Sequence, residues 1–313
     1  MGSPSRLDYG IYALLSIVWG STWLAIKVGL EGAPPLLAAS LRFFLAAAIL
    51  LPLTVLIRAP WPRGRVEWSV VAFVGVVLFV FDYALIYWAQ SVGLDSALAA
   101  ILFATMPFQT ALMAHALVPK ERLTGIKILG ISMGFAGVFL IFGGGVTGAA
   151  SVGLLAMLAV VLSAACASAA SVAVKRWGPN ANPYSWNAVA MAIGAVGLLI
   201  LSLGAGEPLI APGWPQGVLS ILYLAVFGTV VAFVGYVRLL RTFPVTTMSL
   251  IAFITPVVAV FLGLVVAGES LAPLVGIGAG ITLAGVFVST WRRRVPLRGT
   301  AESAPVPADT GKP

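Results

Sequence analysis

The feature that most constrains this chain is a succession of ten apolar stretches separated by only short polar, Gly or Pro breaks, at roughly 9–30, 34–57, 67–89, 95–118, 124–142, 151–175, 183–204, 217–239, 245–267 and 273–291. A hydrocarbon layer is crossed by about 20 helical residues. In lipid every backbone N–H and C=O must find its partner inside the segment or the bundle, which selects helices. The pattern predicts an all-α membrane protein with ten transmembrane helices running up and down. Charged residues make up only 9% of the chain, against about 25% in soluble domains. The first stretch lacks a small-residue cleavage site and reads as a retained span rather than a removed signal peptide.

The charges are placed, not scattered. With the N-terminus inside, 16 of the 18 Lys and Arg residues fall in inner segments, and the other two, Lys27 and Arg42, lie within spans. This is the positive-inside pattern. It puts both termini in the cytoplasm of a bacterial inner membrane. It also accounts for the net charge of +8 without a nucleic-acid partner. The tail, 295–313, rich in Pro, Ala and Ser, is expected to be disordered and cytoplasmic.

The chain repeats itself. "AGVF" at 136–139 returns at 284–287, an offset of 148. Lys27 and Lys175, Glu121 and Glu269, and Gly130 and Gly278 share that offset, while Tyr87 and Tyr236, and Pro107 and Pro256, are 149 apart. The division is 1–143 and 144–294. Five spans per half is an odd number, so the second half enters the membrane upside down. Inverted repeats of this kind recur in secondary transporters, with the substrate near mid-membrane between the halves; a channel or scaffold could arise from the same duplication. Pro107 and Pro256 each fall mid-span, as kinks for packing or as hinges. Gly130-x-x-x-Gly134 and Gly276-x-x-x-Gly280 allow close helix contact, within the bundle or between the protomers of a homodimer.

On a helical wheel Tyr12, Ser16, Trp19, Gly20, Thr22, Trp23 and Lys27 share one arc of the first span, with Leu14, Ile17, Val18, Leu24 and Ala25 opposite. In the third span Phe79, Asp82, Tyr83, Ile86, Tyr87 and Gln90 share an arc, with Leu78, Val80, Phe81, Ala84, Leu85 and Trp88 opposite. These polar and aromatic stripes point to a lined interior, against interfacial belts. Asp82 is the only acid deep in any span. An intramembrane carboxylate is costly, so it is paired or functional. Two accounts stay open. One is a structural ion pair with Arg42 or Lys27. The other is a carboxylate that meets a substrate ammonium or carries a proton. Lys27 could instead snorkel to the interface. Thr105, Gln109, Asn187, Tyr236 and Thr255 are further polar positions at core depth, and Gln109 lies just past Pro107. His115 and Cys166 read as structural. No metal or other cofactor is implied. No paired acid and base or nucleophile set supports an intramembrane enzyme, and no phosphate loop supports an ATP-driven pump.

The order "WGSTWLAIK", "LRFFLAAAILL", "ATMPFQTALMAHALVPKERLTGIKILGISMGFAGVFLI" and "ITPVVAVFLGLVVAGESLAPLVGIGAGITLAGVF" resembles the EamA-type permeases of the drug/metabolite transporter superfamily, over residues 10 to 291. The resemblance implies ten helices as two inverted five-helix repeats. It implies a central cavity lined mainly by the first, third, fourth, sixth, eighth and ninth helices. Several members export amino acids or related metabolites, and others move nucleobases or drugs. The sequence therefore predicts a secondary transporter exporting a small metabolite such as an amino acid, with multidrug efflux or solute import by the same fold as the alternative. Trp19, Trp23, Tyr83, Tyr87 and Tyr236 would face its apolar part or its ammonium. Thr105 and Gln109 would bond its polar part.

Overall fold

The computed structural model describes residues 5–119, 121, 123–145, 150–178, 182–239, 242–243, 248 and 251–290. The tail 295–313 and several basic residues counted above, Arg122, Arg241 and Arg292 among them, lie outside the described residues. Ten helices follow in order: α1 Arg6–Gly29, α2 Pro35–Leu56, α3 Gly64–Ser91, α4 Ser96–Leu117, α5 Gly125–Gly145, α6 Ala150–Trp177, α7 Pro183–Gly204, α8 Gln216–Leu239, α9 Ile251–Val265 and α10 Pro273–Thr290. No strand occurs among the described residues. The first eight are long and apolar enough to cross a bilayer, and α9 and α10 are shorter apolar helices.

Local chemistry sets the starts. Ser5 and Asp8 form a reciprocal capping box on α1, with Asp8 N–H donating to Ser5 Oγ at 3.3 Å and Ser5 N–H to Asp8 Oδ2 at 2.9 Å. Pro35 and Pro183 open α2 and α7, where a missing N–H costs nothing. Two other carboxylates cap helices from far along the chain. Glu207 accepts the N–H of Leu36 at 3.0 Å and of Leu37 at 2.9 Å. Glu269 does the same for α4.

Two helices widen inside the bundle. Gly75–Asp82 in α3 and Val226–Val231 in α8 adopt π-helical bonding. The wider turn shifts the side chains that follow. Asp82 is buried and Phe81 exposed, as the wheel of the third span expects, but Val80, placed on its outer arc, is 5% exposed and Leu78 of the same arc lines the cavity. In α1 one expectation gives way. Val18, assigned to the outer arc, is 5% exposed and packs in a cluster with Leu15, Ala232 and Leu239.

The proline positions behave differently. α4 is interrupted at Ala104 and Thr105, between Ser96–Phe103 and Met106–Leu117. Pro107 has no N–H to return to Phe103, so the chain tightens there, Thr105 N–H donating to Leu102 O at 3.2 Å. Pro256 sits inside an unbroken α9.

Small residues set the closest approach, between α5 and α10. A methyl at Gly130 would lie 2.7 Å from Gly285 O, and one at Gly278 2.6 Å from Gly137 O. Gly276 and Gly280 face open space instead, so α10 presents Gly278 and Gly285 to its neighbour, half a turn from the expected stripe. α2 packs on α7, with Ser40 Oγ donating to Ala195 O at 2.8 Å. α6 packs on α4, with Ser168 Oγ donating to Met106 O at 3.0 Å. On the outside Ile17, Phe81, Phe139 and Ile200 are exposed, as befits a lipid-facing surface.

Alternating helix direction puts Arg58, Arg63, Arg65, Lys127, Lys175, Arg176 and Arg238 at one end of the bundle, called here the basic face.

Candidate functional site

A cavity of about 600 Å³ lies at the centre of the bundle. Trp19, Thr22, Trp23 and Ile26 of α1 line it, with Arg42 and Phe43 of α2 and Phe79, Asp82, Tyr83 and Ile86 of α3. Phe103, Met106 and Pro107 come from the broken part of α4. Later helices add Ser171, Asn187, Thr229, Tyr236 and Thr255. Helices 1, 3, 4, 6, 8 and 9 all contribute, and so do α2 and α7.

Its two charges are not joined. Arg42 is 3% exposed and Asp82 2%. Arg42 donates from Nε and Nη2 to Thr229 Oγ1, at 3.3 and 3.2 Å. Thr229 is itself fixed, donating to Leu224 O at 2.8 Å within the π segment of α8. The guanidinium lies over the Tyr83 ring at 4.9 Å and the Phe43 ring at 5.2 Å. Arg42 Nη1 and Asp82 Oδ1 are buried and have no hydrogen-bond partner among the described residues. The ion pairs among those residues join Lys27 to Asp95 and Glu269, Lys175 to Glu121, and Arg238 to Asp8. Asp82 and Arg42 therefore face one cavity without forming an ion pair, and the amine of Lys27 goes to other carboxylates than Asp82.

Aromatic rings frame the charges. Trp19 and Tyr236 have centroids 5.5 Å apart towards the basic face. Trp23 and Phe103 meet at 5.2 Å one helical turn further on. Phe43, Phe79 and Tyr83 pack on one another at 4.6 to 6.2 Å. Tyr87 is fully buried in the core behind the cavity lining. Thr105 and Gln109 also stand outside it: Gln109 Nε2 donates to Thr105 Oγ1 at 3.0 Å and to Val161 O at 3.1 Å, tying the break in α4 to α6.

The two ends of the cavity differ. Towards the basic face its lining includes the exposed Ser171 and Ala252 and the half-buried Asn187 and Tyr236. Towards the other face Trp23 and Ile26 are buried, and Lys27 follows at once. Lys27 Nζ donates to Asp95 Oδ1 at 2.7 Å and to Glu269 Oε1 at 2.8 Å. Glu269 also accepts Ser96 N–H at 2.8 Å, Ser96 Oγ–H at 2.7 Å and Ala97 N–H at 2.9 Å. Burial pushes this carboxyl up, but Lys27 and the donors at the start of α4 outweigh it and hold it below the ordinary Glu value.

Thr229, Phe103, Asp95 and the partnership of Glu269 were not singled out in the sequence. A signal for the last existed, since Lys27 and Lys175 repeat at the offset of Glu121 and Glu269. The other three carry no repeat or motif.

The profile of the EamA-like transporter family matches the chain twice, over residues 9–143 and 154–291. The chain belongs to the EamA-like transporter family. The double match falls on the two halves of the sequence. Among EamA-like relatives, the uncharacterized inner membrane transporter YedA of Escherichia coli K12 is 31% identical over 283 residues, covering 90% of each chain. A protein of Salmonella typhimurium named as a probable amino-acid metabolite efflux pump is 27% identical over 299 residues, covering 93% of this chain and 97% of its own. A solved crystal structure superposes with a TM-score of 0.64 at 20% identity, covering 91% of this chain and 98% of the other; that likeness is one of fold. This EamA-like chain is thus a multi-pass membrane transporter.

Proposed function

We propose that this protein is a secondary transporter of the bacterial inner membrane that exports zwitterionic amino acids with apolar side chains. Its two halves are inverted copies that rock about the central cavity in alternating access. The observation that carries the reading is the pair of buried charges that face one cavity without joining each other. An unpaired buried guanidinium or carboxylate is expensive unless a partner arrives. An α-amino acid brings both partners at once, its carboxylate for Arg42 Nη1 and its ammonium for Asp82 Oδ1. Trp19, Trp23, Phe103 and Tyr236 offer surface for the side chain. The named efflux-pump relative supports the substrate class.

Asp82 can bind either an ammonium or a proton, not both. A carboxylate with that choice exchanges one for the other, which couples export to proton entry. The basic face lies in the cytoplasm on this reading, so the cavity stands open towards the internal pool.

The test is counterflow in proteoliposomes loaded with unlabelled amino acids and given single labelled ones. Saturable accumulation of a subset by the wild type, lost in Arg42→Gln, is the expected result. Folded protein that accumulates none would overturn the substrate class.

A further inference from the structure

Two ion pairs stand at opposite ends of the bundle, and the repeat exchanges them. Lys27 and Lys175 are 148 residues apart, and so are Glu121 and Glu269. Lys27 of the first half meets Glu269 of the second at 2.8 Å. Lys175 of the second half meets Glu121 of the first. Each pair ties one half to the other, and each is the image of the other under the repeat.

Their surroundings are unlike. The Glu269 side chain is 1% exposed, whereas Glu121 is 33% and Lys175 53% exposed. Glu269 is seated on the first N–H groups of α4, the helix whose Phe103 meets Trp23 in the cavity wall. The exposed pair stands at the basic face, the end to which the cavity lining becomes exposed.

We infer that these pairs are alternating locks of the transport cycle: Glu269 seated on α4 holds one face shut, and in the other end state Glu121 is buried by its own lysine at the basic face while Lys27 and Glu269 part and hydrate. The inference rests on the alternating access proposed above. A carboxylate leaves water at little net cost only when charge and N–H donors replace the water together. At Glu269 a lysine, a hydroxyl and two N–H groups at the positive end of a helix do so. A lock complete in one end state and hydrated in the other supplies the differential free energy that shifts such an equilibrium.

The experiment uses the purified full-length protein in detergent, carrying Cys166→Ala and Ser171→Cys. It follows the rate at which a water-soluble maleimide modifies the introduced thiol, which lines the cavity on its basic side. Lys27→Gln and Glu269→Gln are each expected to slow modification by about threefold, as the population leaves the state open to the basic face. Lys27→Arg keeps the rate, and Glu121→Gln and Lys175→Gln do not slow it. Unchanged rates in Lys27→Gln and Glu269→Gln, or slowing by all four neutral variants alike, would overturn the locks. Should Glu269→Gln fail to fold, Lys27→Gln decides alone, because it leaves the carboxylate on α4. Labelling needs no substrate, so failed amino-acid counterflow with intact lock effects would remove only the substrate class.

Discussion

Trp23 meets Phe103 in the cavity wall, ring to ring, with centroids 5.2 Å apart and planes tilted by 58°. The two residues come from different helices, and the contact sits just beneath the Lys27 network. Trp23→Ala removes the larger ring and opens a path past α4. The expected outcome is leak: preloaded amino acid escapes from proteoliposomes without exchange, several-fold faster than with the wild type. Retention equal to that of the wild type would assign closure to the ion pairs alone.

Arg42 is oriented by Thr229, not by Asp82. Two of its nitrogens are occupied, which leaves Nη1 for the cavity. Arg42→Lys keeps the charge but loses the fork that does both jobs. We expect affinity in counterflow to fall about tenfold, a loss of about 1.4 kcal/mol. Thr229→Val, which leaves the guanidinium unanchored, raises KM with a smaller effect on the maximal rate.

Asp82→Asn tests the exchange of proton for cargo. An amide takes neither a proton nor the charge of an ammonium. Transport driven by an imposed pH gradient is expected to vanish, and the pH dependence of residual counterflow to flatten. A folded variant with wild-type gradient response would remove Asp82 from coupling.

Glu269 gives a stability prediction with a definite sign. Its carboxyl is held below the ordinary Glu value in the folded protein. Its contribution is therefore present above the unfolded value of about 4.3 and is lost as pH falls through the depressed folded value. The difference in Tm between wild type and Glu269→Gln should be constant across neutral pH and shrink on acidification below that range. A difference that grows towards acid would contradict the assignment.

Much of the architecture was legible because lipid imposes it. Helices follow from the lack of backbone partners in hydrocarbon, and span limits from length. The stripe on the third span survives the π turn only in part: Asp82 and Phe79 are buried and Phe81 and Trp88 exposed, whereas Val80 and Leu78 of the outer arc turn inward. What a wheel cannot supply is depth and neighbour. Trp19, Trp23, Asp82, Tyr83 and Tyr236 come together at the cavity. Thr105 and Gln109, at similar depth, are spent on the break in α4. Val18 is buried because another helix happens to cover it. Lys27 found Asp95 and Glu269 through contacts spanning 68 and 242 residues, distances at which local pattern is silent. Thr229 matters only through the arginine that it holds.

The described connections between helices are brief: residues 30–34 and 92–95 join their neighbours in five residues or fewer, and the longest link among the described residues is 205–215. Among the described residues, that link, which carries Pro208, Pro212 and Pro215, is the longest stretch a soluble protease or an antibody meets beyond the helices. A conformation-specific binder raised for structural work can take that link as an extended epitope.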